Sequence, residues 1–559
     1  MLARIQSFAA RFLFVTLVVS GALCGVLAVL FHWCVESARD FLIGFALEQQ
    51  GAVRVALIVI TPAIVFALIA FGIRKLAPRA VGANLARVRM AYNEDSSLLG
   101  WRSVIATFLA TPLSLGAGAP LGPEGPITVI TSGFSSALAR ALRLPTKVVR
   151  GMLPVGVAAG IGAIFNAPIT GVVFALEEIV GTAERELLGG VLVGAVAAAV
   201  VERMLLGGRA LLAAPTSTWR DARELIGFAL LGILGGLASG AAIAVTHRLK
   251  RTWSRAMPSA ELRVALAGLL IGAGGLVEPR ALGVGYESVS FWLHGGGTAR
   301  ITAVAFGVKV LLVVIALSAG VLGGSFAPSL FIGTALGAAV GHFASMLFPA
   351  MGIDPKAYAI IGMGAFFAGL LRSPIAAVLI VIEVTRDYDL VLPLMLAVSL
   401  AVAVSRSISK LSLVEQQMID EGYIEQRGAD PLAHVRVAEA MTRNPLTVSI
   451  DMTLLDAVRA VAGSRHRMYP VMDGSGKFAG VLSAETIERA ARDGVTERSV
   501  RESLEQPKLI ATANEPVIDL VRRMQVNGVD RSPVIDESRK IVGFISPSDI
   551  LRARMRQSP

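Results

Sequence analysis

The chain has 559 residues, of which 54% are hydrophobic and 17% are charged, and its mean hydropathy is +0.67. Soluble globular proteins carry roughly 25% charged residues, so this composition excludes a soluble chain over most of the length. The net charge of +11 does not indicate nucleic-acid binding, because no basic run is interleaved with aromatic residues. Basic residues lie instead at the ends of apolar segments, where they set membrane topology and meet anionic lipid headgroups.

Apolar segments follow one another as far as about Ser409, and the chain beyond them is charge-rich. A membrane helix needs about 20 apolar residues. The first segment, which follows Arg11, is predicted to be an uncleaved membrane helix because it shows no signal-peptide cleavage motif. The cysteines, Cys24 and Cys34, are too few for a disulfide framework or a metal site. The clearest predicted spans are residues 12–31, 53–73, 187–201, 225–245, 264–276, 301–317 and 390–404.

Shorter apolar pieces, interrupted by glycine and proline, lie between these spans. Broken backbone at membrane depth is tolerated only where protein or a water-filled cavity surrounds it. Such breaks at matching places in two halves point to the binding site of a transporter. The pieces are residues 104–115, 127–138, 152–164, 169–176, 330–347 and 375–382.

The membrane part is predicted to contain an internal repeat of about 200 residues. Pro168 and Glu177 recur as Pro374 and Glu383, and the members of each pair are 206 positions apart. The sequence Gly-Pro-Glu-Gly-Pro at 122–126 is similarly matched by Gly-Ser-Phe-Ala-Pro at 324–328, 202 positions later. This spacing leaves open whether the two halves are inverted.

The C-terminal tail holds a second repeat, in which residues 470–483 align without gaps to residues 533–546, 63 positions later. Each copy combines an amphipathic helix with two short strands, which indicates a small α+β module in tandem. The sequence therefore predicts a transmembrane domain over 1–412, with halves at about 12–205 and 220–410, and a linker over 413–435. The two modules are predicted over 436–495 and 496–556.

Glu124 is the residue that most clearly indicates function. It is a carboxylate between two apolar pieces, where Gly122 and Pro126 open the backbone, and an ionisable group at that depth is costly. Pro126 favours the first turn of a helix, whose free N–H groups and positive dipole end would bind an anion beside Glu124. A carboxylate there competes with a permeant anion until it is protonated. The alternative is a glutamate that caps a helix at the membrane surface.

Two adjacent carboxylates, Glu177 and Glu178, end another apolar piece. Glu177 has the repeat partner Glu383, which predicts a structural role for both residues. Glu178 corresponds to Val384 and is therefore the better candidate for handling protons. Neighbouring helical side chains point about 100° apart, so the two need not share a role. An ordinary interfacial carboxylate is the alternative for Glu178.

These motifs resemble those of the CLC chloride channels and proton/chloride exchangers. Residues 122–126 are similar to the family's Gly-Arg/Lys-Glu-Gly-Pro, residues 324–328 match its Gly-x-Phe-x-Pro, and residues 165–178 look like the segment with the internal proton glutamate. The resemblance covers about residues 12–415. It implies an α-helical polytopic membrane protein with two inverted repeat halves and broken helices. It also implies a homodimer in which each subunit has its own pore.

The resemblance implies roles for individual residues as well. Glu124 would be the external gate and proton site, and Glu178 would transfer protons on the internal side. The anion-binding residues that it implies are Gly82, Ala83, Gly122, Pro123, Gly125, Gly324, Ser325, Phe326 and Ala327.

Three positions depart from the family's pattern. The family's first anion motif, Gly-Ser-Gly-Ile-Pro, reads Gly-Ala-Asn-Leu-Ala at 82–86, so Ala83 replaces the serine whose hydroxyl contacts the central anion. Val414 stands where a gapless continuation from Glu383 places the pore tyrosine, and Pro123 replaces a basic residue. A hydrogen bond to an ion contributes about 1.5–3 kcal/mol, so we expect weaker anion binding or altered selectivity.

The tail resembles a tandem CBS (Bateman) module. Gly-Phe-Ile-Ser-Pro-Ser-Asp at 543–549 fits that family's nucleotide pattern, and the resemblance implies an adenine nucleotide (ATP, ADP or AMP) at Val534, Ser546 and Asp549. The first copy has Thr486 where the ribose-binding aspartate belongs, so a nucleotide is expected only at the second copy. The alternative is a pair of modules that only stabilise a dimer.

The predicted function is proton-coupled antiport of chloride or a similar small anion, gated by Glu124. The alternatives are a passive, voltage-gated anion channel regulated by the CBS domains, and a nucleotide-sensing membrane protein with little transport. An enzyme is not expected, because no nucleophile motif, metal cluster or phosphate loop stands in the sequence.

The expected partners are the anion, protons, membrane lipid, a second subunit and an adenine nucleotide, without nucleic acid and without a required cofactor. The expected location is the inner (plasma) membrane of a bacterium, with the CBS domains in the cytoplasm.

Overall fold

The structure is a computed structural model. It describes residues 2–557 except 77–83, 94–95, 182–184, 209–210, 213, 216, 218, 220, 422–431, 433–434, 465, 494–496 and 537. The chain divides into two compact units, Met1–Tyr423 and Ile424–Pro559.

The first half of the first unit consists of long apolar helices and of short ones that begin at the Gly-Pro breaks. Helix α8, for example, starts at Pro168 and has only seven residues. Proline suits a helix start because its missing N–H would have no intrahelical partner there. The helices are α1 (Leu2–Arg39), α2 (Phe45–Glu48), α3 (Gly51–Leu76), α4 (Leu85–Asn93), α5 (Trp101–Gly116), α6 (Glu124–Ala141), α7 (Thr146–Ile164), α8 (Pro168–Phe174) and α9 (Arg185–Leu206), with π-helical turns at Asp40–Gly44 and Ala175–Val180 and a 3₁₀ turn at Ser96–Leu98.

The second half has the same mixture of long and broken helices. Its last helix, Leu413–Asp420, packs against other helices of the first unit. That helix, which the sequence analysis places in the linker, buries its Leu413, Val414 and Met418 side chains. The helices are α10 (Glu224–Ala256), α11 (Ala260–Val277), α12 (Tyr286–Leu293), α13 (Ala299–Ala319), α14 (Phe326–Leu347), α15 (Pro355–Leu371), α16 (Pro374–Thr385), α17 (Val391–Ile408) and α18 (Leu413–Asp420), with 3₁₀ turns at Pro279–Ala281 and Pro349–Met351.

Within the described residues, nine helices are long and apolar enough to cross a membrane. The seven clearest predicted spans all coincide with such helices. The other two, Thr146–Ile164 and Phe326–Leu347, contain pieces that were expected to be interrupted but are continuous helices. Helix α7 continues through Pro154 because protein encloses most of it, and 72% of its apolar stretch is buried. Neighbouring helices can satisfy the backbone groups that such a proline frees.

The two halves of the first unit contact each other reciprocally. Glu177 accepts a hydrogen bond from the backbone N–H of Ala376 (2.9 Å) at the start of α16. Glu383 accepts one from the backbone N–H of Thr170 (2.6 Å) at the start of α8. Equal contacts exchanged between matching residues indicate an approximate two-fold relation between the halves. Each carboxylate therefore caps a helix of the other half, which agrees with the structural role predicted for both.

The second unit contains two α+β modules, each with its own small apolar core. Its strands form two sheets, ordered β2-β3-β4 and β1-β7-β6-β5. Strand β1, near the start of the first module's range, pairs with β7 of the second, so the two modules are interleaved. The elements are α19 (Val437–Ala440), β1 (Thr442–Arg443), β2 (Val448–Ser449), α20 (Leu454–Val461), β3 (Met468–Met472), β4 (Phe478–Ser483), α21 (Ala484–Arg492), a 3₁₀ turn (Val500–Ser503), β5 (Ala511–Thr512), α22 (Val517–Asn527), β6 (Ser532–Ile535), β7 (Ile541–Ile545) and α23 (Pro547–Gln557).

The same polar turn closes the antiparallel hairpin of both modules. Asp473 accepts a hydrogen bond from the Ser475 hydroxyl (2.7 Å), and Asp536 accepts one from the Ser538 hydroxyl (2.7 Å). Each serine hydroxyl lowers the pKa of the carboxyl that it contacts. The repeat seen in the sequence is therefore also a repeat of local structure.

Candidate functional site

The two repeated glycine motifs of the first unit lie side by side. Gly122 and Gly324 form an antiparallel bridge, in which the Gly122 N–H donates to the Gly324 carbonyl (2.8 Å) and the Gly324 N–H donates to the Gly122 carbonyl (2.6 Å). A Cβ atom on Gly122 would collide with the carboxylate of Glu124, and one on Gly324 would lie 2.6 Å from the nitrogen of Gly125. A side chain at Gly324 would therefore force the backbone to shift, and one at Gly122 would displace the Glu124 carboxylate. The bridge brings the first turns of α6 and α14 together.

Glu124 is the first residue of α6, and its side chain is 1% exposed. Its Oε2 accepts a hydrogen bond from the backbone N–H of Ala327 (3.3 Å) in the first turn of α14. Its Oε1 accepts a hydrogen bond from the Tyr286 hydroxyl (2.7 Å). A helix N-terminus attracts anions, so the carboxylate occupies a position that suits a free anion as well.

Tyr286 was not found by sequence reasoning. It begins α12 directly after Gly283 and Gly285, whose φ angles of 62° and 88° form a tight turn. The fully buried ammonium of Lys309 holds this turn, because its Nζ donates to the carbonyls of Ala281 (3.0 Å) and Gly283 (2.6 Å). A lysine inside a predicted span is a signal that could have drawn attention to this region.

A cavity of about 30 Å³, which we call the chamber, is lined by Glu124 and also by Val414 of α18. Four of the predicted anion-binding residues line it too: Gly125, Gly324, Ser325 and Phe326. Three more lie beside Glu124: Gly122 in the bridge, Pro123 just before α6, and Ala327 through its N–H. Gly82 and Ala83 lie outside the described residues.

Phe326 forms part of the chamber wall and is fixed by other aromatic rings. Its ring centroid lies 4.7 Å from that of Phe165, 5.4 Å from that of Phe174 and 4.4 Å from that of Phe367. Val414 is 2% exposed and presents only methyl groups. The position at which the sequence analysis places the pore tyrosine therefore does face the chamber, and it supplies no hydroxyl.

Glu178 lies in a second buried polar site, and its side chain is 4% exposed. Its Oε1 accepts a hydrogen bond from Nη1 of Arg89 (3.3 Å), and its Oε2 accepts one from the Ser373 hydroxyl (2.7 Å). Arg89 belongs to α4, the helix that begins at the chamber residue Leu85. Glu178 and Glu177 therefore have different surroundings.

In the second unit, Ser546 and Asp549 line a cleft of about 110 Å³. Asp549 Oδ2 accepts hydrogen bonds from the N–H (2.9 Å) and the hydroxyl (2.5 Å) of Ser546, and Oδ1 accepts one from the Thr442 hydroxyl (2.9 Å). Arg531 also lines the cleft and donates to Asp530, which lowers the pKa of that carboxyl. Val534 has its side chain in the apolar core of the second module instead of in the cleft lining.

The matching place in the first module is filled by a protein carboxylate. Glu505 Oε1 accepts hydrogen bonds from the hydroxyls of Ser483 (2.9 Å) and Thr486 (2.9 Å). A ribose would have to displace Glu505 from these hydroxyls. The hydroxyls at this place in the first module are therefore engaged by a carboxylate, and a nucleotide at the second module stays a prediction.

Comparison with known proteins identifies both parts of the chain. The model of the voltage gated chloride channel family matches residues 64–406, and the CBS domain model matches residues 437–493 and 501–556. A ClcB-like chloride channel protein of Ralstonia nicotianae is 34% identical over 304 residues, which are 54% of this chain and 71% of that protein. The H⁺/Cl⁻ exchange transporter ClcA of Salmonella schwarzengrund is 30% identical over 388 residues, 68% of this chain and 82% of that one.

Among solved structures, a eukaryotic CLC transporter superimposes with a TM-score of 0.69 at 20% identity, covering 96% of this chain and 97% of the other. At this identity the likeness shows the fold alone. The fold is thus the CLC type with inverted halves, joined to a tandem CBS module, as predicted.

Fold and site together define a multi-pass membrane transport protein, in which two helix N-termini meet at a narrow chamber. The chain belongs to the voltage-gated chloride channel (CLC) family of anion-transport proteins, and it carries two CBS domains.

Proposed function

We propose that this protein is a proton-coupled antiporter of chloride or a similar small anion, and that Glu124 is its gate. The observation that carries the proposal is the position of the Glu124 carboxylate, which lies in the chamber and accepts the Ala327 N–H in the first turn of α14. A second buried carboxylate, Glu178, supplies a separate place for a proton. The similarity to an H⁺/Cl⁻ exchange transporter supports the same function.

The mechanism follows from competition between the Glu124 carboxylate and an anion for the same binding position at the first turn of α14. An ionised Glu124 holds the first turn of α14 and excludes an anion from it. Protonation removes the charge that strengthens the hydrogen bonds from Tyr286 and Ala327, so the side chain leaves and an anion takes its position. Return of the carboxylate then requires loss of the proton and departure of the anion. Glu178 exchanges protons with the other side of the membrane.

A passive anion channel is the alternative, and the ion pair of Glu178 favours it. Arg89 stabilises the ionised form of Glu178, while burial of the side chain opposes the charge. A passive channel would not need this carboxylate to exchange a proton. Breaking a buried ion pair costs about 3–5 kcal/mol when one partner is removed, so proton transfer through Glu178 has to overcome part of this interaction.

Neutral variants of the two glutamates separate these functions. In liposomes, Glu124→Gln and Glu178→Gln should each abolish proton movement while anion flux continues. Glu177→Gln is the matched control, because its carboxylate contacts α16, and it should keep coupling. Coupled flux in both neutral variants would contradict the proposal.

We also propose that the protein is a homodimer in an inner (plasma) membrane, with the CBS domains in the cytoplasm and an adenine nucleotide at Ser546 and Asp549. The exposed apolar side chains of the matching helices α8 and α16 suit a subunit contact: Ile169 is 57% exposed and Ile375 is 60% exposed. Cross-linking of a cysteine placed at Ile375 in native membranes tests the dimer. A product of dimer size is expected, and products of monomer size alone would contradict the proposal.

A further inference from the structure

The chamber meets a larger cavity at two carboxamide side chains. Asn84 and Gln417 line the chamber, and both also line a cavity of about 490 Å³, which we call the vestibule. They therefore mark the place where an anion passes between the wide cavity and the narrow one. The inference below rests on the proposed anion path through the chamber.

Gln417 has a side chain that is available for a ligand. It lies on α18 three residues after Val414, so the two side chains share one face of the helix. Its carboxamide forms no hydrogen bond with any other described residue, although it carries two N–H donors. The amides nearby are engaged: Asn84 Nδ2 donates to Glu421 (3.4 Å), and Gln416 Nε2 donates to Asp420 (3.3 Å).

The rest of the chamber offers a dehydrated anion few side-chain donors. The sequence has Ala83 and Val414 at the positions where the resemblance to the CLC family implies hydroxyls. Much of the described wall is apolar, and an anion that leaves water needs hydrogen bonds in exchange. The apolar residues of that wall are Leu85, Ile161, Phe174, Leu317, Phe326, Leu371 and Val414.

The vestibule supplies a field that attracts anions. Arg87, Lys250 and Arg263 line it, against the carboxylates of Asp420 and Glu421. Asp420 is already paired, because its oxygens lie 3.2 Å from Lys250 Nζ and 3.2 Å from His247 Nδ1. Clefts with an excess of one sign of charge raise the local concentration of the opposite ion.

We propose that the Gln417 carboxamide is a ligand for the transported anion, and that it supplies the side-chain hydrogen bond that Val414 cannot supply. Its N–H group donates to a small inorganic anion at the junction of vestibule and chamber, one helical turn from Val414. A glutamine side chain is flexible and places its donor less rigidly than a tyrosine ring does. Gln417 is thus a specificity-determining residue. Because its donor is flexible, the affinities for anions of different size should differ little.

Equilibrium binding to the full chain in detergent tests this site. Isothermal titration with chloride, fluoride and nitrate is carried out on the wild type and on Gln417→Leu, Gln417→Asn and Gln49→Leu. Gln417→Leu keeps the size of the side chain and removes the donors, so the affinity should fall about tenfold or more. Gln417→Asn keeps an N–H donor on a shorter side chain, so its affinity for the anion should lie between those of the wild type and Gln417→Leu. Gln49→Leu is the matched control, because Gln49 lies at the end of α2, outside the lining of the chamber and the vestibule, and it should bind within about twofold of wild type.

Several results would overturn the proposal. These are an unchanged affinity in Gln417→Leu, an equal loss in Gln49→Leu, or a wild type that binds none of the three anions. Binding at equilibrium needs no proton gradient, so the result is independent of coupling. A wild type that binds chloride through Gln417 but moves it without protons contradicts the antiport mechanism alone.

Discussion

Glu124 connects three helices through one carboxylate. It begins α6, accepts an N–H from the start of α14, and accepts the hydroxyl of Tyr286 at the start of α12. The other donor is a backbone N–H, whereas the Tyr286 hydroxyl belongs to a side chain and can be removed by one substitution. Tyr286 therefore offers a direct way to weaken the hold on the Glu124 carboxylate, the proposed gate.

Tyr286→Phe should raise anion turnover. The ring stays and only the hydroxyl is lost, and a hydrogen bond to a charged group contributes about 1.5–3 kcal/mol, so an increase of about tenfold is expected if Glu124 leaves the chamber more readily. Chloride efflux from liposomes measures it. Tyr358→Phe is the control, because Tyr358 is buried against Phe228 in another part of the unit. Equal turnover in wild type and Tyr286→Phe would show that the hydroxyl does not hold the gate.

The buried pair of Arg89 and Glu178 should be strongly coupled in stability. Each single change, Arg89→Met or Glu178→Leu, breaks this buried ion pair from one side and should cost up to about 3–5 kcal/mol. The double variant buries two apolar side chains and should lose less than the sum of the two singles. Thermal unfolding in detergent measures all four proteins. Additive losses would mean that the two side chains do not interact.

At the residue scale, sequence motifs were enough to single out Glu124 and Glu178 but not the groups that act on them. Tyr286 is 162 positions from Glu124, while Arg89 and Ser373 are 89 and 195 positions from Glu178. Only folding brings such groups together, and neither Tyr286 nor Arg89 stands in a recognisable motif. Val414 could be placed in the chamber wall because the spacing from Glu383 along α17 and α18 has no gap.

At the scale of elements, the reciprocal caps hold the two halves in register. Glu177 accepts N–H groups at the start of α16, and Glu383 does the same at the start of α8. A side chain that caps a helix typically contributes about 0.5–2 kcal/mol, and charge strengthens the hydrogen bonds. Their position away from the chamber assigns them to stability.

Glu177→Ala and Glu383→Ala should therefore lower the unfolding temperature by similar amounts and leave the ratio of protons to anions unchanged. Each change exposes two helix N–H groups without a partner, at a cost of about 1–3 kcal/mol. Thermal unfolding and a coupled flux assay are run on the same preparations. Loss of coupling at an unchanged unfolding temperature would assign Glu177 to proton transfer.

The elements themselves could be predicted in part. Long apolar runs gave all seven clear spans, because a lipid environment demands about 20 apolar residues in a row. Hydropathy failed for α7 and α14, where glycine and proline suggest breaks but surrounding protein keeps the helix continuous. Helix α15 was overlooked, although every described residue from Ala357 to Leu371 is buried.

At the scale of the whole molecule, the tail is expected to sense an adenine nucleotide at one module only. In the full-length protein, binding of ATP, ADP or AMP should weaken at least tenfold in Asp549→Ala, since this carboxylate lines the cleft of the second module. Thr486→Ala, at the matching place of the first module, should bind as wild type does. A wild-type protein that binds no adenine nucleotide would leave the modules as a scaffold.

Coupling between protons and anions is the central claim, and a pH gradient across a liposome tests it most directly. With equal chloride on both sides, the wild-type protein should accumulate chloride on the side with more protons, the side from which protons leave. Glu124→Gln should not accumulate it, although it still passes chloride down a chloride gradient. Two results together would contradict antiport. In the pH gradient, the chloride concentrations on the two sides would stay equal, and in a chloride gradient, the wild-type protein would pass chloride without a pH change.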